Sequence, residues 1–230
     1  MKSLPLRIHS PLAAIICALL LPVCGAWAAP FPINPGFLQP PQVTFSEVPA
    51  GTALNGLSIN GFTFTENLPT AFTAPPGGPG NTNNISGAYA LSGVPPGGGY
   101  ILSVALLNPA RSFGFGFSLQ GVTSGANAVM ITLFNGATNL GFLSFAGNPD
   151  PTFIGGFAAL GDNAFFNRVE ITFNPSATGF AVDNFAASTQ VPEGRSIFFM
   201  LLGGLSLWAF SRYGGRATFK GAKQRLGLGR

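Results

Sequence analysis

The chain has 230 residues, of which 47% are hydrophobic and 8% are charged, with 32 glycines and 20 prolines. This balance excludes an intrinsically disordered chain, which needs few apolar and many charged residues. Residues 30–190 carry two arginines against six acidic residues, a net charge of −4, so the basic excess lies at the two ends. The composition therefore argues against a nucleic-acid-binding domain, which would carry its basic surface on the folded part.

Residues 1–28 predict a secretory signal peptide. Lys2 and Arg7 precede a short apolar run, and the segment ends in the small-x-small pattern of residues 26–28. Cleavage after Ala28 would remove every cysteine and the single histidine, which are Cys17, Cys24 and His9. We therefore expect an exported mature protein without a disulfide. A proline-rich lead-in at 29–41 follows, and we expect it to be extended.

The body, residues 42–190, has the alternation of β-strands. Phe113, Phe115 and Phe117 alternate with small residues, which is the period of a half-buried strand whose glycine face lies close to another layer or to solvent. Asn60-Gly61 and Asn135-Gly136 lie between apolar runs and predict hairpin turns or a bulge. Short strands separated by Gly, Pro and Asn turns predict an all-β, jelly-roll-like β-sandwich.

The body lacks the residues of most catalytic sites. It contains no His, Cys, Lys or Trp, which excludes a Ser-His-Asp triad, a thiol nucleophile, a Schiff-base lysine and an ordinary zinc site. A carboxylate-based glycoside hydrolase, drawing on Glu47, Glu66 or Glu170, is a disfavoured alternative. We therefore predict that the protein is not an enzyme. Tyr89 and Tyr100 flank a glycine-rich loop and are the candidates for stacking on a sugar ring.

The C-terminal region predicts a membrane anchor. Residues 197–210 form an uncharged apolar run, and six basic residues with no acidic ones follow it, as on the cytoplasmic side of a membrane helix. Val191, Pro192 and Glu193 come directly before this region. This order resembles the PEP-CTERM sorting signal of Gram-negative bacteria, here at 191–216 with a basic cytoplasmic tail at 217–230. The resemblance implies an exosortase as processing enzyme and an exopolysaccharide or biofilm context.

The body also resembles, more diffusely, the ectodomains that precede this signal, which look like jelly rolls of the lectin or carbohydrate-binding type. That resemblance implies a structural calcium ion between the first and last strands, held here by Glu47 and Asp183 with Asn184. A second calcium candidate pairs residues 148–150 with residues 162–163.

The predicted function is therefore that of an exported, non-catalytic surface or matrix protein with a structural or adhesive role. A periplasmic ectodomain would be anchored in the inner membrane and later sorted to the cell surface or the extracellular matrix. The main alternative is a carbohydrate-binding module for exopolysaccharide.

Overall fold

The computed structural model describes residues 29–76, 85, 87–93, 100–149 and 153–191. The compact unit that contains them ends at Val191. The predicted signal peptide at 1–28, Pro192 and Glu193 of the sorting motif, and the apolar run at 197–210 lie outside the described residues. Within the described part, no helix is both long enough and apolar enough to cross a membrane.

The described chain is all-β, as predicted. It forms one short 3₁₀ helix, Pro35–Leu38, and a single large sheet whose strands all pair antiparallel. The strands are β1 Phe31–Pro32, β2 Ser58–Ile59, β3 Phe62–Glu66, β4 Phe72–Ala74, β5 Tyr89–Ser92, β6 Ile101–Gln120, β7 Val129–Asn135, β8 Thr138–Phe145, β9 Asn148–Pro149, β10 Phe153–Phe173 and β11 Gly179–Ser188.

Two long strands, β6 and β10, organise the sheet. They pair along their whole length, with a shift of register between Gly161 and Arg168. The first half of β6 also pairs with β3, and the second half of β10 pairs with β7, which continues to β8. The second half of β6 pairs with β11, which continues to β5 and β4. The register shift therefore divides the sheet into two halves that share the same long strands.

The two halves fold back toward each other. A straight strand of 20 residues would separate its ends by roughly 65 Å. Tyr100 precedes β6, and Phe180 pairs with Leu119 near the far end of that strand, yet their ring centroids are 5.0 Å apart. Phe173, at the end of β10, stacks on Phe180 at 4.3 Å. The sheet must therefore bend at the register shift, an arrangement consistent with a β-sandwich.

Phenylalanine rings fill the space between the halves. Phe185 of β11 contacts four other rings, and its ring stacks on Phe115 with centroids 5.1 Å apart. The other three ring partners of Phe185 are Phe45, which lies between the lead-in and β2, Phe64 of β3 and Phe113 of β6. All five side chains are fully buried. The predicted inward phase of Phe113, Phe115 and Phe117 is thus confirmed.

The N-terminal lead-in covers the outer face of one half of the sheet. Phe31 pairs with Gly161 of β10, and Leu38 packs against Ala159 and Ala186. A Cβ added at Gly114 would lie 2.8 Å from Leu38 Cδ1, so this glycine permits the close approach. The glycine face of β6 therefore meets another layer of protein. The lead-in, expected to be extended, contains β1 and the 3₁₀ helix Pro35–Leu38, and its apolar side chains complete a second, smaller core.

Both predicted Asn-Gly hairpins are present. Asn60 and Gly61 join β2 to β3 with φ values of 49° and 85°, and Gly136, with φ 58°, lies in the turn between β7 and β8. Positive φ at these positions is the conformation that Asn-Gly turns adopt at the lowest steric cost.

Candidate functional site

The residues predicted to hold calcium lie on segments that the fold brings together. Val43 forms an isolated bridge with Phe185, so the turn that contains Glu47 lies beside the strand that contains Asp183 and Asn184. The carboxylate of Glu47 accepts hydrogen bonds from the backbone N–H of Thr44 at 3.2 and 3.3 Å. Asp183 is fully buried, and its Oδ1 accepts from the Asn184 N–H at 2.7 Å.

These hydrogen bonds tie the Glu47 carboxylate to its own turn and the Asp183 carboxylate to its own strand. Across the described residues, no group of three or more His, Cys, Asp or Glu side chains is gathered as a metal site would require. The calcium site at Glu47, Asp183 and Asn184 stays a prediction.

Of the second predicted calcium site, Asp150 lies outside the described residues, and the structure places Asn148 and Asp162 far apart. Asn148 pairs with Gly155 at one end of β10, whereas Asp162 lies seven residues further along that strand. At 3.3 Å per residue the separation is roughly 20 Å, too far for one ion to be shared. Asp162 is instead buried at the register shift, where its Oδ1 accepts from the Ala164 N–H at 2.7 Å. Burial raises the pKa of Asp162, and the backbone N–H groups of Ala164 and Asn163 offset this in part.

The two tyrosines predicted to contact sugar do not share a surface. Tyr89 lies on β5 and is half-buried. Tyr100 is only 3% exposed, and its ring packs against Phe173 and Phe180. The prediction that Tyr100 lies at a binding surface was therefore wrong, because the bent sheet places its ring in the core between Phe173 and Phe180.

Tyr100 forms a buried polar pair with Glu66 instead. Its hydroxyl donates to Glu66 Oε1, which also accepts from the Ala71 N–H at 3.2 Å. Glu66 is 5% exposed, and its Oε2 has no hydrogen-bond partner among the described residues. Burial raises the pKa of Glu66, while the Tyr100 hydroxyl and the N–H groups of Ala71 and Thr70 act in the opposite direction. Burial and the neighbouring carboxylate also raise the pKa of the Tyr100 hydroxyl.

The sequence contained a signal for this burial. Glu66 continues the alternation of Phe62 and Phe64, so its side chain falls on the inward face of β3. Glu66 thus has the raised pKa that an acid catalyst needs, but its position in the core leaves little room for a substrate. Glu170 lies on the outward phase as expected, and it pairs with Arg168, whose guanidinium lies 3.9 Å from the centre of the Phe134 ring.

The candidate ligand site is a groove whose lining includes three amide side chains, those of Gln42, Asn60 and Asn108. We call it the amide groove. It has a volume of about 340 Å³ and lies where the end of β11 meets the β2–β3 turn and the irregular part of β6. Its lining residues are Gln42, Asn60, Gly61, Phe62, Leu106, Asn108, Pro109, Ala110, Ala187, Ser188 and Thr189. A second groove of about 400 Å³ shares Asn60, Gly61, Phe62 and Leu106 with it.

Backbone groups hold two of these amides in place. The Asn60 Nδ2 donates to the Gln42 carbonyl at 2.7 Å, and the Gln42 Oε1 accepts from the Ala187 N–H at 3.0 Å. Sequence reasoning missed this groove, since Gln42 and Asn60 were assigned only to the start of the body and to a turn. Their sequence separation of 18 residues gives no signal that they meet.

Comparison with known proteins leaves the family open. No protein-family model matches the chain, and the search of curated proteins finds no significant match. Among solved structures, the chain is similar to the enzymatically active domain of tailspike protein 4 from bacteriophage CBA120, with 18% identity and a TM-score of 0.34. The match covers 59% of this chain and 21% of the tailspike chain, so this chain spans about a fifth of the length of the tailspike structure.

Proposed function

We propose that this protein is an exported, non-catalytic surface or matrix protein whose jelly-roll-like ectodomain is delivered by a PEP-CTERM-like C-terminal signal. One observation carries the proposal. An all-β unit ends its last strand at Ser188, and the motif Val191-Pro192-Glu193, an apolar run and a basic cluster follow immediately. A folded domain placed directly before a cleavage motif and an anchor is the order that an exported, sorted protein needs.

The physical steps of sorting follow from that order. The signal peptide at 1–28 would direct the chain across the inner membrane, and the run at 197–210 would stop the transfer. The basic tail at 217–230 would stay in the cytoplasm, because Lys and Arg are retained on that side. An exosortase-type enzyme would then cut near Pro192 and Glu193 and release the ectodomain to the surface or the matrix.

The proposal is tested with an epitope tag after Arg230, expressed in a Gram-negative host that carries an exosortase. The wild-type chain should lose the tag and appear outside the inner membrane. A variant with Pro192→Ala and Glu193→Ala should retain the tag and stay in the membrane, and Thr189→Ala serves as the matched control. A tag located in the periplasm, or retained equally in all three chains, would refute the sorting mechanism.

Carbohydrate binding is the second candidate function, and the amide groove supports it. Amide side chains offer donors and acceptors together, as the hydroxyl groups of sugars require. In this reading the ectodomain would contact exopolysaccharide in the matrix to which it is sorted.

A further inference from the structure

We propose that the amide groove is a binding site for an uncharged saccharide, with Gln42, Asn60 and Asn108 as its recognition residues. This inference rests on the carbohydrate-binding function proposed above, and it assigns to that function a location and a class of ligand.

The lack of charged side chains in the groove favours a neutral ligand. None of the side chains that line the amide groove or the adjoining groove is charged. An anionic polymer would require arginine or lysine, and the body's two arginines, Arg111 and Arg168, are absent from both linings. A cation would require carboxylates, which are also absent there. An uncharged polar molecule is the class that such a lining can bind without burying an unpaired charge.

The amides are preorganised for that ligand. Asn60 uses its Nδ2 on the Gln42 carbonyl, and Gln42 uses its Oε1 on the Ala187 N–H. Each side chain is thus held at one end, which leaves the Asn60 oxygen and the Gln42 NH₂ group for a ligand. The exposed Asn108 amide makes no hydrogen bond to the described residues and supplies a further donor and acceptor. Restraint before binding lowers the entropy lost on binding.

Three backbone N–H groups at the groove are already paired, which argues against an extended peptide as ligand. Leu107 N–H donates to the Gly61 carbonyl, and the N–H groups of Gln42 and Val43 both donate to the Phe185 carbonyl. A peptide that adds a strand needs free backbone groups along a sheet edge. Side-chain amides beside an exposed apolar residue, Leu107 at 79% exposure, instead fit the hydroxyl groups and C–H faces of a sugar. The volume of about 340 Å³ is also within the usual range for ligand sites.

The test measures binding of the detergent-solubilised full chain to soluble polysaccharides by affinity electrophoresis. The probes are a neutral glucan, a neutral mannan and a neutral galactan, with a polyuronate as the charged comparison. We expect binding to at least one neutral polymer and a five- to tenfold loss of affinity, about one hydrogen bond, in Asn108→Ala. Gln42→Glu should lose affinity as well, because it keeps the oxygen bonded to Ala187 but removes the NH₂ donors.

Asn163→Ala is the matched control, since Asn163 is exposed and lies outside both grooves. Near-ultraviolet circular dichroism checks that each variant is folded. The inference is overturned if no neutral polymer binds, if only the polyuronate binds, or if Asn108→Ala and Gln42→Glu bind as well as Asn163→Ala. Sorting is measured independently by the tag after Arg230. A sorted chain without binding would overturn this site alone, and a binding chain that is not sorted would overturn the sorting mechanism alone.

Discussion

Replacing Tyr100 by Phe tests the buried pair that Tyr100, just before β6, forms with Glu66 on the neighbouring strand β3. The change removes only the hydroxyl that donates to Glu66 Oε1 and keeps the ring packed against Phe173 and Phe180. A hydrogen bond to an ionised group contributes roughly 1.5–3 kcal/mol. Because 1 kcal/mol shifts the melting temperature by about 2–4 °C in a domain of this size, a loss near 2 kcal/mol predicts a decrease of roughly 4–8 °C at pH 8.

The stability lost in Tyr100→Phe should depend on pH, because Glu66 titrates. Burial raises the pKa of Glu66, so the folded state favours the protonated acid. The stabilisation that this pKa shift gives the folded state is fully present below the ordinary glutamate pKa of about 4.3. It is lost as the pH rises through the raised pKa of Glu66 in the folded state. The Tyr100 hydroxyl favours the ionised form, so Tyr100→Phe should cost more at pH 8 than at pH 4. In a Glu66→Gln background the cost should be the same at both pH values.

Thermal unfolding of the detergent-solubilised full chain, followed by near-ultraviolet circular dichroism at pH 4 and pH 8, measures these differences. Tyr89→Phe is the matched control, because the Tyr89 hydroxyl makes no hydrogen bond to a described residue and its ring is half-buried. A cost for Tyr100→Phe that is equal at both pH values, or larger at pH 4, would refute the assignment of Glu66 as the titrating partner.

Three further predictions use the same unfolding assay. Gly114→Ala should lower the free energy of unfolding by about 1–3 kcal/mol, because the added Cβ would lie 2.8 Å from Leu38 and 2.9 Å from the Ala158 carbonyl. Gly93→Ala is the control and should be near neutral, because a Cβ there meets nothing within 4 Å. Equal effects of the two variants would contradict the close approach at Gly114. Phe185→Ala should cost about 3–5 kcal/mol, whereas Phe142→Ala, at a ring that is 61% exposed, should cost well under half of that. If Glu47 and Asp183 hold calcium, adding a chelator should lower the melting temperature, and an unchanged value would exclude the ion.

Local patterns in the sequence were enough to predict the strands but not their lengths. The alternation around Phe113 and the two Asn-Gly turns correspond to observed strands and hairpins. The continuous β6 was not predicted, because Asn108 and Pro109 interrupt the pattern in its middle. The structure places both residues where β6 has lost its regular register with β10, so Pro109 removes no ladder bond there.

The sequence by itself determined what depends on neighbouring residues. These features are the all-β class, the inward phase of Phe113, Phe115 and Phe117, and the lack of His, Cys and Lys nucleophiles in the body. Only the tertiary structure decided which distant groups meet. Glu66 meets Tyr100 because β3 pairs with the start of β6, and Gln42 meets Asn60 although 18 residues separate them in the sequence. A register displaced by one residue would exchange the inner and outer faces of a strand, and no short-range pattern encodes which distant partner a strand takes.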